Sequence, residues 1–290
     1  MKFRLYFLIL LALVMGATFI LIVGAGFLFP RKRPIPITTP DLEVSVLGSR
    51  IRYRVHEGGD PVIILLHGFG GSLGGWEKVT LMLSDSQCIA LDLVGFGGSD
   101  RPPLSYDIEI QRQHLIAFMD VLNIQQAVLV GFSMGASIAA WTGAKSKERV
   151  AGLILIAPSA YPGSLTYPWP LSWIYRPGLA NQVASVVVDN PIFRWIFPSS
   201  LAPQAIGATN SYDLNFAEAL EDIHQPTLLI WSRGDKKVPF KYHLAYKERI
   251  PNLEFQKIPA SVGHGVPKGT ASFINKFVNK HPSFKSLRTK

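Results

Sequence analysis

Apolar runs of five or six residues recur along the chain between polar and glycine-rich stretches, and their spacing separates strands from helices. Runs at 42–46 and 51–56, joined by Leu47-Gly48-Ser49-Arg50, predict a hairpin. The run at 62–66 is apolar at every position, as in a parallel strand buried on both faces, and 89–93 reads as another buried strand. Further strands are predicted at 127–130, 152–157, 227–231 and 253–258. Helical spacing covers 76–83, 108–122, 133–144, about 243–250 and 271–278. Strands alternating with helices predict an α/β fold, a mainly parallel sheet with helices on both faces. Such sheets carry their chemistry at the carboxyl ends of the strands, which here lead into loops 67–72, 93–100, 131–135, 232–238 and 261–265.

The ends of the chain differ from this body. Residues 5–29 hold no charge, a stretch of 25 that is long enough to span a bilayer. Residues 1–30 are therefore expected to form an N-terminal transmembrane anchor. The small run Val23-Gly24-Ala25-Gly26 leaves a cleaved signal as the alternative. Lys2 and Arg4 precede the span and Arg31, Lys32 and Arg33 follow it, so the side of the membrane stays open. Residues 31–41, with three prolines, read as a stiff basic linker. The body spans 42–280, and 281–290 form a basic tail.

Charge follows the same division. Of the 29 Lys and Arg residues, ten lie in 1–33 and 276–290, where there is no acid, which leaves 19 against 20 acids in the body. The excess of +9 thus belongs to the ends, which argues against nucleic acid and for anionic lipid headgroups as a partner. The single cysteine, Cys88, excludes an intrachain disulfide and sits in an apolar run, as a buried inert thiol would. No Cys/His spacing suits zinc and no glycine-rich phosphate loop is present, so neither metal nor cofactor is expected.

The candidate chemistry starts at Gly131-Phe132-Ser133-Met134-Gly135, where an apolar run turns directly into a helix of small residues. A serine at so tight a strand-to-helix turn is exposed on a strained backbone, beside unpaired helix N–H groups. A serine nucleophile needs a base, and the base an orienting carboxylate. His264, between glycines in the last loop, and Asp235, just past a strand end, complete the order Ser…Asp…His. Each also has a plainer role: Ser133 as helix cap, Asp235 as turn or cap residue, His264 as loop histidine. His67, following a strand and preceding Gly68, is read as shaping a loop. The other five histidines carry no context.

Together these stretches resemble the α/β-hydrolase superfamily over about residues 42–280. The matching motifs are His67-Gly68-Phe69-Gly70-Gly71, the run from Asp92 to Asp100, the Ser133 elbow with Gly131 and Gly135, Gly234-Asp235 and Gly263-His264. The resemblance implies a mostly parallel eight-stranded sheet and catalysis by Ser133, His264 and Asp235. It also implies an oxyanion hole made by the N–H groups of Phe69 and Met134, with His67, Gly68, Gly131 and Gly135 as supporting loop residues. Epoxide hydrolases and haloalkane dehalogenases share the 92–100 pattern but carry Asp at the elbow, which Ser133 argues against. Phe132 and Ala136 stand where many relatives have His and Gly.

Residues 158–225 separate two strands and would be the family's cap insertion. Between Tyr161 and Phe216 they hold ten aromatics. These rings either pack the cap on the core or line an apolar acyl pocket or membrane-facing lid. The expected function is a membrane-anchored esterase or lipase acting on lipophilic esters, similar to membrane-bound monoacylglycerol lipases. A carbon–carbon bond hydrolase with the same triad, or a non-catalytic membrane scaffold, are the alternatives. Oligomeric state stays open.

Overall fold

The computed structural model describes residues 40–164 and 215–286, apart from 84, 101, 103, 105 and 163. Eight strands form one sheet: β1 Leu42–Val46, β2 Ser49–His56, β3 Gly59–Leu66, β4 Ser86–Leu91, β5 Ala127–Phe132, β6 Val150–Ile156, β7 Thr227–Ser232 and β8 Leu253–Ile258. Their order is β1-β2-β4-β3-β5-β6-β7-β8. The β1/β2 and β2/β4 pairs are antiparallel and all later pairs parallel. The described helices are α1 Glu77–Thr80, α2 Ile108–Val121, α3 Met134–Lys145, α4 Phe216–Ala219, α5 His243–Arg249 and α6 Thr270–Lys280.

The two-residue period of the strands sorts the core into two layers. Ile64, Leu66, Leu129, Leu153 and Leu155 face one way, toward α2, α3 and Tyr246 of α5. Ile63, Leu65, Val128, Val130, Ile154 and Ile156 face the other, toward Trp76 and the Ile274, Phe277 and Val278 stripe of α6. Covering both faces is what allows central strands to be apolar at every position. Helix α3 is buried along its whole length except at Lys145, because its alanines, glycines and serine let it lie close to β5 and β6.

Three expected elements are trimmed, each for a physical reason. The hairpin loop shrinks to Leu47 and Gly48, with φ of 49° and 77°, so pairing resumes at Val46↔Ser49; two positive φ values match the twist of the flanking strands. The helix expected at 76–83 is a 3₁₀ turn, Leu73–Trp76, followed by the single turn α1. Past Thr80 the amides of Met82 and Leu83 reach back only three residues, to Val79 O and Thr80 O, so the α-helical ladder ends there although Val79 and Leu83 stay buried. The strand expected to reach residue 93 stops at Leu91: Asp92 N–H still donates to Arg52 O, but the next amide, Leu93 N–H, donates to the His67 ring instead of a strand carbonyl. At the other end, Phe284 is buried against Phe277 and under Gly152, so the first tail residues belong to the fold.

Cys88 is buried in β4 and burial pushes its thiol up to about 12. The expected anchor at 1–30, the linker up to residue 39, and insertion residues 165–214 lie outside the described residues. Among the described residues no helix is long and apolar enough to cross a membrane.

Candidate active site

The site is built at the carboxyl ends of β5, β7 and β8. β5 runs straight into α3, and the joint between them is Ser133, with φ 52° and ψ −115°. A side-chain-bearing residue at positive φ is strained, and such strain is held only where the surroundings over-determine it. Here the Ser133 N–H donates to Ile156 O at 2.8 Å and the Ser133 carbonyl accepts from Ser137 N–H at 3.1 Å. Crowding around the turn explains its glycines. A Cβ on Gly131 would lie 2.3 Å from Gly135 O, and one on Gly135 2.2 Å from Leu66 O. Both contacts are with backbone, which cannot move aside. Gly135→Ala is expected to lower stability by about 3 kcal/mol, read as a fall in the urea midpoint.

Although Ser133 is the N-cap of α3, its hydroxyl does not cap the helix. It lies 3.0 Å from His264 Nε2, and His264 Nδ1 lies 2.7 Å from Asp235 Oδ2. A carboxylate oxygen accepts, so the proton sits on Nδ1 and leaves Nε2 bare to accept from the Ser133 hydroxyl. Asp235 divides its work. Oδ1 accepts from Lys237 N–H and Val238 N–H at 3.0 and 2.9 Å, the turn role that its position suggested, while Oδ2 faces the imidazole. Its side chain is fully buried, and the turn is pinned by Trp231 Nε1–H donating to Val238 O. The His264 side chain is 12% exposed, and the Phe132 ring lies against the imidazole with centroids 4.9 Å apart.

The loop after β3 closes the other side. His67 is buried; its Nδ1–H donates to Gly68 O at 2.8 Å and its Nε2 accepts from Leu93 N–H at 3.1 Å. Both nitrogens are thus engaged in tying loop 67–71 to the loop after β4. Gly68 lies under the Phe132 ring, where a Cβ would meet it at 2.9 Å. Phe69 follows, partly exposed, with its ring edge-on to Phe96. Met134 is the first residue of α3, so its N–H has no carbonyl one turn back to donate to. Beside the elbow, Phe69, Trp76, Phe132 and Val266 help line a mostly apolar cleft of roughly 200 Å³. Among the described residues no cluster of His, Cys, Asp or Glu could hold a metal ion.

Residues 61–196 match the family described as alpha/beta hydrolase fold. The dihydrolipoyllysine-residue acetyltransferase component of the acetoin cleaving system from Cupriavidus necator is 36% identical over 254 residues, covering 81% of this chain and 67% of that protein. The chain belongs to the α/β-hydrolase fold family. It is also similar to a 2-hydroxymuconate semialdehyde hydrolase from Pseudomonas sp. (strain CF600), 29% identical over 153 residues. That match covers 51% of this chain and spans about half, 54%, of the relative's length. The crystal structure of a membrane phospholipase A shares the fold, with a TM-score of 0.65 at 22% identity, covering all of this chain and 99% of that one.

In this α/β-hydrolase, one supporting cluster is not evident from the sequence. Asp92, fully buried, accepts from Leu73 N–H and Gly98 N–H, both at 2.6 Å, and from Arg52 Nη2 at 2.6 Å. Arg52 also reaches Asp41, which pairs with the buried Arg54, and Arg54 pairs with Glu77. The segment following the His67 loop is therefore held from the antiparallel edge of the sheet. The run from Asp92 to Asp100 stood out as a motif, but nothing in the chain named the carboxylate's partners, which lie 40 and 19 residues upstream at Arg52 and Leu73 and just downstream at Gly98.

His67 also gives the fold a pH dependence. Burial holds its imidazole below the usual value near 6.5. The unfolded chain then takes up the proton first as pH falls, so stability declines below about pH 6.5, with a slope of at most about 1.4 kcal/mol per pH unit. His56 is shifted in the same direction by burial. The contribution of His67 is therefore the part of the slope in urea midpoints, measured from pH 7.5 to 5, that disappears in His67→Gln.

Proposed function

We propose that the protein is a serine hydrolase cleaving carboxylic esters of lipophilic substrates through an acyl-enzyme. The observation that carries this is the continuous chain from Ser133 Oγ through the His264 ring to Asp235 Oδ2, at 3.0 and 2.7 Å. Ser133 Oγ attacks the ester carbonyl while His264 Nε2 takes its proton. The resulting oxyanion is held by the N–H groups of Phe69 and Met134. Collapse of the intermediate expels the alcohol, which receives the proton from Nε2. A water then gives a proton to Nε2 and attacks the acyl carbon, and Ser133 recovers its hydrogen as the acid leaves. Asp235 keeps Nδ1 protonated and stabilises the imidazolium formed in each half.

Lipophilic substrates are supported by the mostly apolar cleft beside the elbow and by the uncharged 25-residue stretch near the N-terminus. That stretch supports anchoring in a membrane, with the domain held near the bilayer by linker 31–41. The likeness to a membrane phospholipase A runs in the same direction. Carbon–carbon hydrolysis is the second reading, favoured by the similarity to 2-hydroxymuconate semialdehyde hydrolase. Arg176 and Arg194, which could clamp an acidic substrate of that kind, lie outside the described residues.

The test is fluorophosphonate labelling of the membrane fraction, followed by turnover of 4-nitrophenyl esters of increasing chain length and of a dienoate diketone. Labelling with preference for medium acyl chains is expected. Preference for acetate would sink the lipophilic substrate class, and faster diketone cleavage would move the assignment to carbon–carbon bonds. A folded protein that does not label would return the scaffold reading.

A further inference from the structure

The Ser137 hydroxyl, one turn into α3, is fully buried and uses its complete hydrogen-bonding capacity. It accepts from Ser159 N–H and Ala160 N–H, both at 2.9 Å, and donates to the carbonyl of Ser133 at 3.3 Å. One side chain thus touches both the elbow and the first residues of the insertion. Those residues are otherwise an abrupt departure from the sheet. Ala157, directly after β6, sits at φ 46° with its N–H on Ile230 O, and the chain then passes Ser159 and Ala160 to Tyr161. Tyr161 packs between Tyr242 and Tyr246, and Ser164 Oγ closes back on Ser159 O.

We propose that Ser137 is a positioning residue that sets where the insertion leaves the sheet relative to Ser133, and so tunes how long acyl chains fit. The reason is an asymmetry in what the hydroxyl supports. Without it the Ser133 carbonyl still accepts from Ser137 N–H at 3.1 Å, so the elbow keeps its helix bond. On the insertion side two consecutive buried amides lose the acceptor they share. Loss of the hydroxyl therefore falls on residues 158–162 and on whatever part of the substrate the insertion contacts, and only weakly on the nucleophile.

The proposal rests on Ser133 being the nucleophile, and two measurements on the full chain keep the two claims apart. The first is amide hydrogen exchange of peptides covering 158–162 and 127–132 in wild type, Ser137→Ala and Ser137→Cys. The second is the ratio of Ser133 labelling rates with a long-alkyl and a short-alkyl fluorophosphonate. In Ser137→Ala, exchange in 158–162 is expected to rise about tenfold, with 127–132 unchanged. The long-to-short ratio should fall about fivefold or more while the short-probe rate stays near wild type. Ser137→Cys, whose thiol is a weaker acceptor, should lie between, and it serves should the alanine variant fail to fold. Unchanged exchange at 158–162 overturns the proposal. So does an equal slowing of both probes, which would put the effect on the nucleophile. If wild type reacts with neither probe, the nucleophile assignment falls, and exchange alone decides whether Ser137 anchors the insertion.

Discussion

Ser133→Ala is expected to lower kcat by about 10⁶-fold and abolish fluorophosphonate labelling, with the fold intact. Everything that holds the elbow is retained: the N–H bond to Ile156, the carbonyl bond from Ser137 and the packing of Gly131 and Gly135 are all backbone. Alanine also keeps the Cβ at φ 52°, so the strain is unchanged. The hydroxyl contributes one hydrogen bond, to His264, and its removal should move the unfolding midpoint by less than about 1 kcal/mol equivalent. What disappears is the bond-forming atom. No acyl-enzyme accumulates, so the pre-steady-state burst of alcohol release is lost together with turnover. Residual hydrolysis from positioning and oxyanion donors alone would sit far below one part in a thousand of wild type. Activity above a few percent in a preparation free of wild-type enzyme would remove Ser133 from the nucleophile's role.

The fold was legible because burial here is nearly binary. Strands covered on both faces must be apolar throughout, so 62–66 and 127–130 stood out, and the limits of β1 and β8 agree with the expected ones. Boundaries failed where side chains replace backbone partners. β4 ends early because Leu93 N–H donates to His67 Nε2 rather than to a strand carbonyl, and no local pattern announces a bond across 26 residues. Chain order was enough to name the three side chains that the structure brings together, Ser133, His264 and Asp235, but not how each one's atoms are used. Asp235 as turn residue and Asp235 as partner of His264 looked like alternatives. They are the two oxygens of one carboxylate. Ser137 carried no signal, because a serine in a helix of alanines and glycines has the same composition whether it packs or binds. Of the aromatics in the insertion, the described pair at its ends packs inward: Phe216 stacks on Trp141 and Tyr161 on the α5 side.

Asp235→Asn is expected to reduce kcat by about 10⁴-fold with little change in KM, and the reason lies in which way the new amide must point. The Oδ1 position accepts from two backbone donors, Lys237 N–H and Val238 N–H. An amide NH₂ there would face two N–H groups and leave them unpaired in a buried turn, so the amide oxygen takes that place. The NH₂ group is then driven toward His264 Nδ1, 2.7 Å from the present Oδ2. A donor facing Nδ1 forces that nitrogen to accept, which moves the ring proton to Nε2. His264 would then present an N–H to Ser133 Oγ and could not take the serine's proton. Geometry survives while the base is lost, which is why kcat falls and substrate binding does not. Nitrogen NMR of the imidazole gives the check: the proton resides on Nδ1 in wild type and on Nε2 in the variant. A variant that keeps the wild-type tautomer but loses the same activity would show that the carboxylate acts through its charge alone.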